Sequence, residues 1–186
     1  MRAAAAAIAG LLLALAACSD SNEAPLVAEE ILRLNERANR VAIGLEHYVA
    51  SEGIRRAKVV ADTAFFIEEE SLIELRDMEV TFYDEDGKET TFLTAREGTY
   101  DWETGNMTAR HDVVVVKREE GRRIETSVMY YERPEDRIWS DVRTTMYEED
   151  GTIVEGTSFT SNSGMDRVEL TEPSVIRRGS QPRSEE

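Results

Sequence analysis

The chain has 186 residues, enough for one domain with a substantial core. Its 38 acidic and 22 basic residues leave a formal net charge of −16, which argues against binding nucleic acid through its phosphates and against attraction to an anionic membrane surface. The single cysteine, Cys18, rules out an intrachain disulfide.

The first element in chain order is a leader. Arg2 is followed by an almost wholly apolar run, Ala3 to Ala17, which is too short to span a bilayer comfortably and ends in small residues. Residues 1–17 therefore read as a signal peptide. Leu15-Ala16-Ala17-Cys18 has the form of a bacterial lipobox, which predicts lipidation of Cys18; the plainer reading is an ordinary secretory signal. Residues 18–44 read as a lipidated tether and an amphipathic helix. After Pro25, the residues Val27, Ile31, Leu34, Ala38 and Val41 step by four and three along one helical face.

Beyond about residue 41 the pattern changes to period two. Eight segments read as strands: 55–68, 72–83, 90–102, 107–117, 122–132, 136–147, 152–161 and 166–176. They are rich in Val, Ile, Thr, Tyr and Phe and are bounded by Gly, Asp, Asn or Pro. The fold class is all-β, a sandwich, jelly roll or barrel over residues 45–178, with a disordered tail at 179–186. A two-stranded unit repeats about four times, with Gly87, Gly121 and Gly151 at successive turns. The stretch Asp84-Glu85-Asp86-Gly87 looks like the start of a calcium loop. It lacks the remaining ligands, and Asp-Gly between alternating strands predicts a hairpin turn.

Little else suggests chemistry. His47 and His111 are the only histidines, and with one cysteine they form no Cys/His zinc set. His111-Asp112 reads as a turn between strand segments rather than an acid/base pair. There is no phosphate loop and no nucleophile elbow, so neither an enzyme nor a cofactor is expected. A carbohydrate-active enzyme would need paired carboxylates in a cleft near Trp102 or Trp139, which read instead as strand-end residues.

The expected inward faces are more informative. Met107, Ala109, Val113 and Val115 alternate, as do Ile124, Thr126, Val128 and Tyr130. Small residues, among them Ala61, Ala64, Ala95, Gly98 and Gly156, interrupt these faces. Two readings stay open: a dry, closed core, or an elongated apolar groove for acyl chains.

The order and spacing of Asp62-Thr63-Ala64, Leu93-Thr94-Ala95 with Gly98 and Tyr100, Asp112-Val113, Gly121 to Thr126 with Tyr130, and Gly156 with Phe159 resemble a known family. It is LptC, the periplasmic C component of lipopolysaccharide export, whose β-jellyroll is shared with LptA. The resemblance covers roughly residues 45–176. It implies an open β-jellyroll and a non-enzymatic relay, which accepts lipopolysaccharide from an LptB2FG-type inner-membrane ABC transporter and passes it to an LptA-type bridge protein by edge-strand pairing. The groove residues it suggests are Ala61, Ala95, Ala109, Val113, Val115, Val128, Tyr130 and Gly156. Family members commonly begin with a transmembrane helix, whereas this chain carries the lipobox. The expected location is therefore a lipid anchor facing the periplasm, at the inner membrane. The alternative is a structural or adaptor envelope lipoprotein with a closed β-sandwich core.

Overall fold

A computed structural model describes residues 26–51 and 53–177. The expected leader, Cys18, the expected tether and the expected tail fall outside the described residues. The one α-helix among them, α1, spans Leu26–Arg37, with Glu29 in its first turn, Arg37 in its last, and an Arg33–Glu29 pair at 2.7 Å. These charges complement the helix dipole. The chain divides into two compact units, Met1–Leu34 and Asn35–Glu186, and all of the β-structure lies in the second. Strand structure already begins at Arg40, so Ala38 and Val41 are not part of the expected helix and the β-region starts ahead of residue 45.

Twelve strands follow: β1 Arg40–Ser51, β2 Ile54–Ile67, β3 Leu72–Tyr83, β4 Glu89–Asp101, β5 Met107–Lys117, β6 Arg122–Glu132, β7 Arg137–Ser140, β8 Thr144–Tyr147, β9 Ile153–Gly156, β10 Ser158–Asn162, β11 Glu169–Thr171 and β12 Ser174–Arg177. All neighbours pair antiparallel. From β1 to β6 the order is sequential. At β6 the sheet forks. Glu132 to Tyr130 pair with β7, and the ladder continues through β10 to β11. Arg123 to Thr126 pair with β8, and that ladder continues through β9 to β12.

The fork follows from a crease that every long strand crosses. Opposite one another at mid-strand stand Gly44, Asp62, Asp77, Arg96, His111 with Asp112, and Ser127, none of which has a partner in the ladders. Gly44, Asp77, His111 and Asp112 have positive φ (67°, 47°, 61° and 52°). Gly, Asp and His tolerate this conformation better than other residues. In β1–β4 and β6 the side-chain alternation slips by one at these positions with the ladders otherwise in step, whereas β5 carries one residue more than its neighbours, a β-bulge at His111-Asp112. In β3 the buried positions are Ile73 and Leu75 before Asp77, then Met78, Val80 and Phe82 after it. In β4 they are Thr91, Leu93 and Ala95, then Gly98 and Tyr100. These interruptions, aligned across the sheet, bend it into two layers. Past β6 the crossings become outright breaks, at 141–143, Thr157 and 172–173.

Each expected strand segment is thus one crossing of the crease, and the last three each contain two strands, one per layer. His111-Asp112 lies in the crease inside β5 and not in a turn between strands. Contacts across the interior confirm that the layers face each other: Phe82 meets Tyr131 edge-on at 5.2 Å, and His47 lies 5.4 Å from Tyr100.

The expected hairpin at Gly87 is present. The Gly87 N–H donates to the Asp84 carbonyl at 3.2 Å, and Asp84 Oδ1 accepts from the N–H groups of Asp86 and Lys88 at 3.0 and 2.8 Å. Gly121 and Gly151 close the corresponding turns of β5–β6 and β8–β9. Asp84 is an acceptor for its own turn. Asp84→Ala should therefore lower unfolding free energy in urea by about 1 kcal/mol, whereas Asp86→Ala should stay within about 0.5 kcal/mol of the parent.

Candidate functional site

The interior between the layers is the largest apolar feature of the β-unit. Its floor is the crease, and that explains the small residues. On one side of the crease the paired inward row runs Ala42, Ala64, Leu75, Gly98, Ala109 and Met129. On the other lie Ala61, Met78 and Ala95, then Val113, Thr126, Thr144 and Gly156. Where two sheets meet at a sharp fold, backbones approach closely and large side chains do not fit. A Cβ built on Gly98 would lie 2.0 Å from Met78 Sδ and 2.9 Å from the Thr108 carbonyl oxygen. One built on Gly156 would lie 3.0 Å from the Thr171 carbonyl oxygen and 3.1 Å from Leu170.

Of the two readings left open, the closed core holds in this structure and the expected groove is filled: neighbouring side chains and backbone occupy the space beside the small residues. Farther from the crease the layers hold Val80, Phe82, Leu93, Met107, Val115, Ile124, Tyr131, Ile138 and Phe159 in one buried cluster. The void bounded by Met78, Phe82, Leu93, Met107, Ala109, Met129 and Ile138 is about 10 Å³, too small for an acyl chain.

Of the eight expected groove residues, Ala61, Ala95, Ala109, Val113, Val115 and Gly156 are buried on the inner face. Val128 and Tyr130 are not on that face. At Ser127, opposite the β5 bulge, the alternation of β6 slips by one, so Met129 and Tyr131 turn inward and their neighbours outward. Tyr130 stacks on Trp139 at 4.3 Å, and Trp139 donates its indole N–H to Glu132 at 3.0 Å. Met129 and Tyr131, missed from the sequence, take the inner places. The signal that could have revealed them is the polar Ser127 interrupting the alternation.

Opposite the crease the two layers end in a rim. A recess of about 530 Å³ opens there, lined among others by Arg56, Tyr83, Tyr131, Arg133, Asp136 and Ser163. Arg133 reaches from one layer toward the other, its guanidinium donating to the Ala50 carbonyl at 3.4 Å. Elsewhere the rim is closed by the loop 163–168. The Lys117 ammonium, inward-facing at the end of β5, bonds Asp166 at 2.6 Å and Glu120 at 2.8 Å. Burial works against its charge, but the hydrogen bonds it donates to Asp166 and Glu120 outweigh this and hold its pKa above the ordinary lysine value.

Outside the crease, Arg96 pairs with Asp112 at 2.6 Å, and His111 Nε2 lies 3.7 Å from Glu97. Among the described residues, no group of three or more His, Cys, Asp or Glu is arranged to hold a metal ion, and no helix is long and apolar enough to cross a membrane.

Two measurements test this packing. Gly98→Ala should destabilise the fold by about 1–3 kcal/mol, and joined to Met78→Ala it should cost less than the two single changes added together. Burial pushes the Tyr131 phenol up to about 12, with Asp136 nearby adding to the shift. A tyrosine in the unfolded chain titrates near 10, so the folded state holds this proton more tightly. The resulting stability should be complete below about pH 10 and lost as pH rises toward 12. Tyr131→Phe should flatten that part of the denaturation profile.

Comparison with known proteins fits this architecture. No curated protein matches the chain. The solved structure of LptH from Pseudomonas aeruginosa is similar, with a TM-score of 0.52 at 15% identity, covering 66% of this chain and 94% of that one. That protein is described as the LptA-homologous periplasmic component of the lipopolysaccharide transport device. The family described as lipopolysaccharide-assembly, LptC-related, matches residues 3–174, and the chain belongs to that family.

Proposed function

We propose that this chain is a lipopolysaccharide-binding relay in envelope lipid export. It accepts lipopolysaccharide from an inner-membrane ABC transporter of the LptB2FG type and passes it to an LptA-type periplasmic bridge protein. Family membership supports a role in lipopolysaccharide transport. The observation that carries the finer reading is a two-layered apolar interior that runs the length of the crease and ends in free strand edges. Among the described residues, at one end β1 pairs only with β2; at the other, β11 pairs only with β10 and β12 only with β9. Unpaired edges are the natural place for a partner strand, and a continuous interior would carry acyl chains from one domain to the next. Cys18, lipidated, would hold the domain to the inner membrane facing the periplasm. The task needs no catalytic residue, because the transporter supplies the energy.

The interior is packed in this state, so loading requires the layers to part at the rim while the crease stays intact. An acyl chain of about ten methylenes gains roughly 8 kcal/mol on leaving water, enough to offset a limited separation. The packed core equally favours the second reading, an adaptor whose core stays shut and which works through its edges alone.

Photocrosslinking in cells separates the two. A small diazirine side chain at Val113, Val115 or Ala95 should capture lipopolysaccharide, while the same group at the outward Val128 or Tyr130 should not. Equal capture at inner and outer sites would sink the relay. Capture at none, with envelope partners still bound, would establish the adaptor.

A further inference from the structure

The loop that closes the rim has the chemistry of a ligand. In sequence it reads Ser163-Gly164-Met165-Asp166-Arg167-Val168, between β10 and β11. Its Met165 is 0% exposed and belongs to the same buried cluster as Val115, Ile124, Ile138 and Phe159. An unbranched, flexible thioether in an apolar slot fills space much as the end of an alkyl chain does. The next residue, Asp166, places a carboxylate at the rim, where Oδ1 accepts a 2.6 Å hydrogen bond from Lys117. An apolar chain inside and an acid at the rim, one residue apart, together form an internal anionic amphiphile.

The receiving side is built to match. The Lys117 side chain is only 8% exposed, and a lysine so placed needs an anionic partner. Asp166 and Glu120 supply it. Thr91, directly opposite Lys117 in the β4–β5 register, is buried, and its hydroxyl bonds nothing among the described residues. Arg122 donates to the Met165 carbonyl at 3.2 Å and fixes the loop from the same rim. Lys117 and Arg122 flank the β5–β6 turn in one layer, while the loop joins β10 and β11 of the other, so this contact clasps the two layers together.

The loop is held under tension. Met165 has φ +56°, a conformation that side chains other than Gly, Asn and Asp seldom adopt. Asn162 sets it there: its carbonyl accepts the Met165 N–H at 3.0 Å, its Oδ1 accepts the Asp166 N–H at 2.9 Å, and its Nδ2 donates to Asp166 Oδ2 at 2.8 Å.

We propose that the Met165 socket together with Lys117 is a binding site for an anionic amphiphile, and that loop 163–168 is a displaceable plug occupying it. A ligand's acyl chain takes the place of Met165, its acidic headgroup takes the place of Asp166 on Lys117, and the freed loop unclasps the layers. This rests on the relay reading for its physiological ligand, but the chemistry is shared by lipopolysaccharide and by acidic phospholipid.

Methionine footprinting tests it on the intact protein. Met165 should resist oxidation by dilute hydrogen peroxide, and saturating purified lipopolysaccharide should raise its oxidation at least severalfold; a parallel arm with phosphatidylglycerol identifies which source is taken. Asp166→Asn, checked for folding by circular dichroism, should bind the same amphiphile severalfold more tightly because its plug no longer competes for Lys117. Saturable lipopolysaccharide binding with Met165 still protected overturns the plug and leaves the relay standing. Deprotection by phosphatidylglycerol alone upholds the plug and removes the relay. Binding of neither overturns both.

Discussion

Everything in the β-unit depends on one constraint: its strands must change the face they present partway along their length. A flat strand keeps one face inward from end to end. Here the long strands are interrupted at the same transverse position, where Gly44, Asp62, Asp77, Arg96, the His111-Asp112 bulge and Ser127 stand side by side outside the ladders. One sheet thereby becomes two layers with no connecting loop. The interior, the rim, the small-residue floor and the fork at β6 all follow from that alignment.

The crease also sets the residue sizes of the core. Close to it, Ala42, Ala61, Ala64, Ala95, Gly98, Ala109 and Gly156 let the backbones converge. Away from it the layers diverge, and Phe82, Tyr100, Met107, Ile124 and Tyr131 fill the widening gap. The charges on the outer side of the bend fit the same picture. Asp62, Asp77, Arg96 and Asp112 are exposed there; Asp77 and Asp112 hold positive φ, which favours Asp, and water solvates their carboxylates. The strong net acidity of the chain is carried in part by residues chosen for backbone conformation.

Much of this was legible in the sequence. The all-β class, the period-two segments and the turns at Gly87, Gly121 and Gly151 were readable, because alternation and Asp-Gly turns are local signals. The misassigned inner face of β6 had a single cause. Taking β6 as one uninterrupted alternation put Val128 and Tyr130 inside and left Met129 and Tyr131 out. The clue was a polar residue inside each alternating run, as in Ala-Asp-Thr-Ala at 61–64 or Arg-Asp-Met at 76–78. One such interruption carries little information; only the register of neighbouring strands shows that the interruptions line up. Nor could sequence choose between the closed core and the open groove, since it cannot say that Met78 lies over Gly98. The loop 163–168 was invisible as a feature, because its Met and Asp acquire meaning only beside Lys117.

The number of crossings has a consequence for how such a domain can be extended. Six unbroken strands and three broken ones cross the crease among the described residues, nine in all. Nine is odd, so the first and last crossings run in the same sense, both from the layer of β7 to the layer of β8. A second domain of the same build, joined first edge to last edge with its layers continuing those of the first, must therefore meet it in a parallel ladder. An antiparallel joint would exchange the two layers and turn the partner end for end. Parity alone thus ties the hydrogen-bonding pattern at such a junction to whether the interior runs on unbroken.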